Sequence, residues 1–185
     1  MKKILAVLLF CACLLCGCGQ SDVDGVMSLR QKLLSARVCR FDCVVTADFG
    51  EHLYSFKLNC AFDSNGSMTF SVQEPEYIQG ISGTVDAAGG KLTFDDRALA
   101  FSLIADGYIS PVSAPWVFMK ALRSGYIHSC GSDGDGYRVS IDDSYEEHPL
   151  QLEICTDGDY IPIRAEFLWK GKKVLSLTVS NYSCL

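Results

Sequence analysis

Two adjoining stretches of strict apolar–polar alternation constrain this chain more than any other feature. Residues 38–49 set Cys39, Phe41, Cys43, Val45 and Ala47 on one side. Residues 52–63 set Tyr54, Phe56, Leu58, Cys60 and Phe62 on one side, with Ser55, Lys57 and Asn59 opposite. Successive strand side chains point to opposite faces, so each stretch reads as a strand with one apolar face. Asp48-Phe49-Gly50-Glu51 joins them as a hairpin. The pattern goes on past a second turn at Ser64-Asn65-Gly66, with Met68, Phe70 and Val72 on one face, then through 81–86, 91–95 and Leu99-Leu103. It resumes over 126–130, 136–142, 149–156, 160–169 and 173–181, where Ile161, Ile163, Ala165, Phe167 and Trp169 are assigned to one face. About eleven strands are expected. No strand-plus-long-helix unit occurs, which excludes a parallel α/β sheet. One-sided alternation across consecutive hairpins predicts an antiparallel sheet with one buried and one wet face.

Two helices accompany the strands, so the expected class is α+β, mainly antiparallel β. Asp24 can cap the first, running to about Arg37, with Val26, Leu29, Leu33 and Ala36 on one face and Met27 and Leu34 beside it. Ser110-Pro111 and Ala114-Pro115 open the second, over 114–124, and Gly125 ends it. Trp116, Met119 and Leu122 line its apolar face, with Phe118 close by. Lys120 and Arg123 sit near its C-terminus, where positive charge suits the helix dipole. Two helices cover only part of so wide a face. The sheet must curl round them, leave a sheltered apolar groove, or do both.

The N-terminus reads as a processing signal. Met1-Lys2-Lys3 is a basic start, and Ile4–Leu15 is an apolar run shorter than the about 20 residues needed to span a bilayer. Leu15-Cys16-Gly17-Cys18 resembles a bacterial lipobox, with Cys18 as the lipidated residue. Cys16 does not fit, because bulky Leu15 would occupy the cleavage position. The expected organisation is a signal peptide over 1–17, a lipidated tether over 18–23, and one domain over 24–185. Lipidation at Cys18, with two or more acyl chains such as palmitate, predicts anchoring at the extracytoplasmic face of the cell membrane.

Composition excludes several classes. The chain has 185 residues, with 16 Lys+Arg against 22 Asp+Glu and a net charge of -6. Loss of Lys2 and Lys3 makes the processed chain more acidic still. Nucleic acid is excluded as a partner, since it requires a basic face. His52, His128 and His148 are scattered, without the i, i+4 spacing of a helical zinc site. Asp133-Gly134-Asp135-Gly136 opens like a calcium loop but lacks the later acidic ligand, and reads as a hairpin turn. No nucleophile elbow or phosphate loop is present. No cofactor, no metal and no enzymatic activity are expected.

Six cysteines follow Cys18: Cys39, Cys43, Cys60, Cys130, Cys155 and Cys184. An export signal permits disulfides. A hairpin centred between Phe49 and Gly50 places Cys39 opposite Cys60, making these two a disulfide candidate. The alternative is that the cysteines of this hairpin are free thiols serving as small apolar core residues.

Val72-Gln73-Glu74-Pro75-Glu76-Tyr77-Ile78-Gln79-Gly80-Ile81, Leu92-Thr93-Phe94, the prolines at Ser110-Pro111 and Ala114-Pro115, and Ala121-Leu122-Arg123-Ser124-Gly125 complete the pattern. With the N-terminal signal and the strand count, residues 24–182 resemble the LolA/LolB-like lipoprotein-carrier family, clostridial LolA-like lipoproteins among them. The resemblance implies a strongly curved half-barrel that encloses helices and leaves an apolar cavity for acyl chains. Its expected lining is Phe41, Phe56, Phe62, Trp116, Phe118, Met119, Leu122, Phe167 and Trp169. The expected function is non-enzymatic binding of an apolar ligand, an acyl chain or a lipoprotein, at the cell envelope. The alternative is a protein-interaction module with no ligand cavity, regulating an envelope or cell-wall enzyme, sporulation and germination enzymes included.

Overall fold

The structure, a computed structural model, describes residues 20–50, 52–87, 89–93 and 104–185. Helix α1 (Gln20–Ser35) leads into five strands: β1 (Val38–Asp48), β2 (Leu53–Asp63), β3 (Met68–Glu74), β4 (Ser82–Asp86) and β5 (Gly89–Thr93). Helix α2 (Ala114–Ser124) follows, and then β6 (Tyr126–Asp133), β7 (Gly136–Asp142), β8 (Gln151–Thr156), β9 (Pro162–Trp169) and β10 (Lys172–Cys184). The ten strands form one antiparallel sheet in the order β5-β4-β3-β2-β1-β10-β9-β8-β7-β6. The described residues thus hold ten of the about eleven strands expected. The strand assigned to Leu99-Leu103 lies outside the described residues, as does Cys18. Among the described residues, no helix is long and apolar enough to cross a membrane.

The order dictates the shape. Two meanders meet where the first strand pairs with the last. The chain leaves one edge of the sheet at β5 and re-enters at the other edge with β6, and α2 lies in that crossing. Helix α2 contacts both β2 and β7. Those strands stand five places apart in the order, about 24 Å in a flat sheet at ~4.8 Å per strand. Eleven helical residues reach only about 16 Å. The sheet therefore curls around α2, and its concave side is the buried one.

Burial follows the alternation strand by strand. Cys39, Phe41, Cys43, Val45 and Ala47 of β1 face inward, as do Phe56, Leu58, Cys60 and Phe62 of β2. Strand β9 departs from it. Ile161 and Ile163 are exposed, while Pro162 and Ala165 are buried. Arg164 stands opposite Cys155, but Thr156 stands opposite Pro162, so Ile163 is the extra residue of a β-bulge. A bulge resets which face the following side chains take, and an unbroken alternation over 160–169 misplaces the two isoleucines.

Helix α1 begins at Gln20, four residues before the expected cap at Asp24, so it occupies most of the stretch assigned to the tether. Val26, Leu29 and Leu33 are buried, whereas Met27 and Leu34 are exposed.

The disulfide joins Cys39 to Cys184, not to Cys60. Asp48 stands opposite Leu53, two residues later than a centre between Phe49 and Gly50 requires. The Gly50 N–H donates to Asp48 Oδ1 at 2.7 Å, and Gly50 takes a φ of +88°, which favours glycine. The shifted register puts Cys39 opposite Phe62 on one side and Cys184 on the other. Cys60 instead neighbours Cys43, with sulfurs 3.9 Å apart, both buried. That hydrogen bond and burial push the Cys60 thiol well above its ordinary value. For Cys43 and Cys60 the free-thiol reading holds.

The bridge closes a separation of 145 residues, for which the chain-entropy estimate is about 5 kcal/mol. Urea unfolding with and without dithiothreitol should show a loss of stability on that scale, and Cys184→Ser should match the reduced protein. An unchanged midpoint would remove the bridge from the account of stability.

Candidate functional site

Helix α2 turns one face inward and one outward. Val117, Phe118, Met119, Ala121 and Leu122 are buried. Trp116, Lys120, Arg123 and Ser124 follow at i, i+4, i+7 and i+8 and form the outward stripe. Gly125 ends the helix for lack of space. A Cβ there would lie 2.4 Å from Ile141 Cγ2 and 2.8 Å from the Ala121 carbonyl oxygen. Its φ of −67° and ψ of 161° are extended, so the chain leaves the helix directly toward β6.

The outward stripe is anchored to the β2–β3 turn. Asp63 Oδ1 accepts from the N–H groups of Asn65 and Ser67, both at 2.9 Å, which folds the turn and leaves carbonyls pointing out. Trp116 Nε1 donates to the Gly66 carbonyl at 2.9 Å. Arg123 Nη2 donates to the Ser64 carbonyl at 2.7 Å and Nη1 to that of Asp63 at 3.4 Å. Lys120 Nζ lies 5.4 Å from the centre of the Trp116 ring, and the Arg123 guanidinium lies 5.8 Å from that of Phe62. Each cation of the stripe thus covers an aromatic face.

These residues border a groove of about 520 Å³, completed by Leu34 of α1 and by Asp86 and Ala87 of the β4–β5 turn. Leu34 is 53% exposed. The α1–α2 contact that frames the groove is polar. Arg30 donates from Nε to the Leu122 carbonyl at 2.8 Å, and from Nη2 to those of Gly125 at 2.8 Å and Ala121 at 3.4 Å. The Ala121 carbonyl also accepts the Gly125 N–H at 2.8 Å, so the guanidinium serves chiefly the Leu122 and Gly125 carbonyls at the helix end, where it meets the negative end of the dipole. A smaller cavity of about 250 Å³ lies between α1 and the β8–β9 turn. There the Tyr160 ring packs where a Cβ on Gly25 would stand, 1.8 Å away.

Of the nine residues expected to line an acyl cavity, Phe62 and Trp116 border the groove. Phe41, Phe56, Phe118, Met119, Leu122, Phe167 and Trp169 are buried in the core. The reason is α2 itself. Phe118 fills the concavity and meets Phe41 edge-on at 6.2 Å. Trp169 is closed off by Tyr108, 4.1 Å between ring centres, and donates from Nε1 to Asp106 at 3.0 Å. The groove residues carried little weight in the sequence. Lys120 and Arg123 read only as dipole complements and Leu34 as a flank of the buried face. The available signal was the spacing of Trp116, Lys120 and Arg123.

His52, His128 and His148 are all exposed. Among the described residues, no cluster of three or more His, Cys, Asp or Glu side chains has the geometry to hold a metal. Asp133 receives Arg138 through Nε at 3.0 Å and Nη2 at 2.8 Å, which makes it part of a hairpin ion pair.

No family model matches the chain, and no curated protein matches it. Solved structures do resemble it. A LolA superfamily protein of Nitrosomonas europaea aligns over 85% of this chain and 92% of its own, with 10% identity and a TM-score of 0.43. An uncharacterized conserved protein of Thermus thermophilus aligns over 88% and 87%, with 11% identity and a TM-score of 0.47. LprF of Mycobacterium bovis aligns over 89% and 93%, with 10% identity and a TM-score of 0.40. No residue role or activity passes from these proteins to this chain.

Arg30→Ala should destabilise the domain by about 1–3 kcal/mol, since it strips α2 of its capping donors. Arg30→Lys should recover only part of that, because one ammonium does not reproduce the guanidinium fork. Urea midpoints of the three proteins measure the effect. Equal midpoints for wild type and Arg30→Ala would mean that water caps α2 as well.

Proposed function

We propose that this chain is a non-enzymatic lipoprotein with a LolA-like domain, held on the extracytoplasmic face of the cell membrane by lipid on Cys18, and that it works by binding a protein partner at its surface. The anchoring rests on the sequence Leu15-Cys16-Gly17-Cys18. The LolA-like reading rests on the resemblance of residues 24–182, and an open curved sheet around two helices is the arrangement which that resemblance implies.

One observation carries surface binding over interior storage. Phe118 and Met119 are fully buried in the concavity where a carried acyl chain would lie. An interior occupied by its own helix has no room for cargo unless α2 leaves. Departure would break the Trp116, Arg123 and Arg30 hydrogen bonds together and uncover several large apolar side chains, each worth about 1.5–3 kcal/mol when buried. The apolar-ligand reading keeps one support. The groove beside α2 has the volume of a small-ligand site and offers Leu34, Phe62 and Trp116.

Two measurements test the proposal. Metabolic labelling with a clickable fatty acid should mark the wild type and leave Cys18→Ala unmarked; equal labelling would end the anchoring claim. Native mass spectrometry of the protein taken from membranes should show the protein free of non-covalent lipid, and titration with myristate should leave Trp fluorescence without a saturable change. Stoichiometric co-purified lipid would return the carrier reading to first place.

A further inference from the structure

We infer that the groove between α2 and the β2–β3 turn is a docking site for an acidic, amphipathic segment of a partner protein, held by Lys120 and Arg123 over an apolar floor of Trp116, Phe62 and Leu34. The inference rests on the surface-binding proposal and names the site and the chemistry of its partner.

Charge complementarity carries it. The chain is acidic overall, at -6, and its ion pairs match cations with carboxylates: Lys57 with Glu74, Arg138 with Asp133, Lys170 with Asp106 and Lys173 with Glu166. Lys120 and Arg123 stand outside these pairs, as do several other cations, but these two line one groove together. Among the described residues neither is ion-paired; each lies over an aromatic ring, and Arg123 donates only to backbone carbonyls. Asp63, whose carbonyl Arg123 contacts, spends its carboxylate Oδ1 on its own turn. Among the described residues Asp86 is the one carboxylate lining the groove, against two cations, with Asp143 beyond the lining interacting with Lys120. The groove is thus locally positive on an acidic molecule.

Spacing argues for a peptide segment over a lipid. Lys120 and Arg123 are one helical turn apart, which sets their Cβ atoms about 5–6 Å from each other. Two carboxylates at i, i+3 or i, i+4 on a partner helix have the same separation. Between such carboxylates and the next turn, large apolar residues fall on one face and meet Leu34, Phe62 and Trp116. The groove also lies at the C-terminal end of α1, with Leu34 fourteen residues beyond the helix start at Gln20. That is about 21 Å of helix, and the anchor proposed at Cys18 precedes its start in the sequence.

The test uses the processed protein purified from membranes into nanodiscs of neutral phosphatidylcholine. The probe is a fluorescein-labelled peptide of roughly 15 residues built from Leu, Phe and Glu at helical spacing, with a second peptide in which Lys replaces every Glu. Anisotropy should show saturable binding of the acidic peptide and none of the basic one. Lys120→Glu and Leu34→Glu, both at exposed positions, should each weaken binding about tenfold or more while leaving the thermal midpoint in place. Raising salt from about 50 to about 300 mM should weaken the wild type and scarcely affect Lys120→Glu. Equal binding of both peptides, an affinity unmoved by both substitutions, or binding of phosphatidylglycerol vesicles in place of the acidic peptide would each overturn the inference. Wild type found unlabelled in the soluble fraction would count against the anchor alone, and the same titration on that fraction would still decide the groove.

Discussion

The pairing of β1 with β10 is the contact on which the remaining structure depends. Each meander holds itself together through hairpins whose partners are neighbours in sequence. Nothing local joins one meander to the other. Among the described residues the strand pairing that joins them is the ladder between the first strand and the last, from Cys39 opposite Cys184 to Ala47 opposite Leu175, with a bulge between Arg40 and Asp42, and α2 adds its contacts to both. The disulfide sits at one end of this ladder. On the outer face, Asp42 takes one amide from each neighbouring strand, Asn59 and Asn181, both at 2.7 Å. Those two hydrogen bonds hold the Asp42 carboxyl below its ordinary value. Covalent, apolar and polar ties thus converge on one seam.

A sheet joined at that seam and curled around α2 has a defined inside, and α2 decides how the inside is used. Its inward residues complete the core. Its outward residues, fixed by the β2–β3 turn, make the groove. Arg30 ties the same helix to α1. The element that removes an interior cavity is therefore also the one that builds a surface site. An account of function that begins with the concavity has to pass through α2 first.

Much of the fold was legible because alternation is a local property. Residues 39–47 and 54–62 reveal their buried face with no knowledge of their partners. The failures share the opposite character. Which residue faces Cys39 depends on two residues of hairpin register and on a strand whose cysteine lies 145 positions away. The outward turn of Ile161 and Ile163 depends on a bulge opposite Thr156, and no composition marks it. The groove was half legible. The periodicity of Trp116, Lys120 and Arg123 is in the sequence, but the turn that receives Trp116 lies 50 residues upstream. Aromatic abundance on the strands suggested a cavity because it measures how much apolar surface exists, not what covers it.

The order of strands also bears on how the molecule comes into being. Polypeptides are made N-terminus first. Strand β1 gains β2 early, yet its other edge stays unpaired until β10, the final thirteen-residue strand, is available. Until β10 is made, the central strand of the finished sheet is an edge strand with a hydrophobic face, the condition that invites pairing with other chains. The seam that secures the native protein is thus the last to form, and a nascent chain stalled before its final residues is a half-sheet with its core open. Shielding of that edge, by a chaperone or by rapid delivery of the last strand, is a requirement set by topology alone.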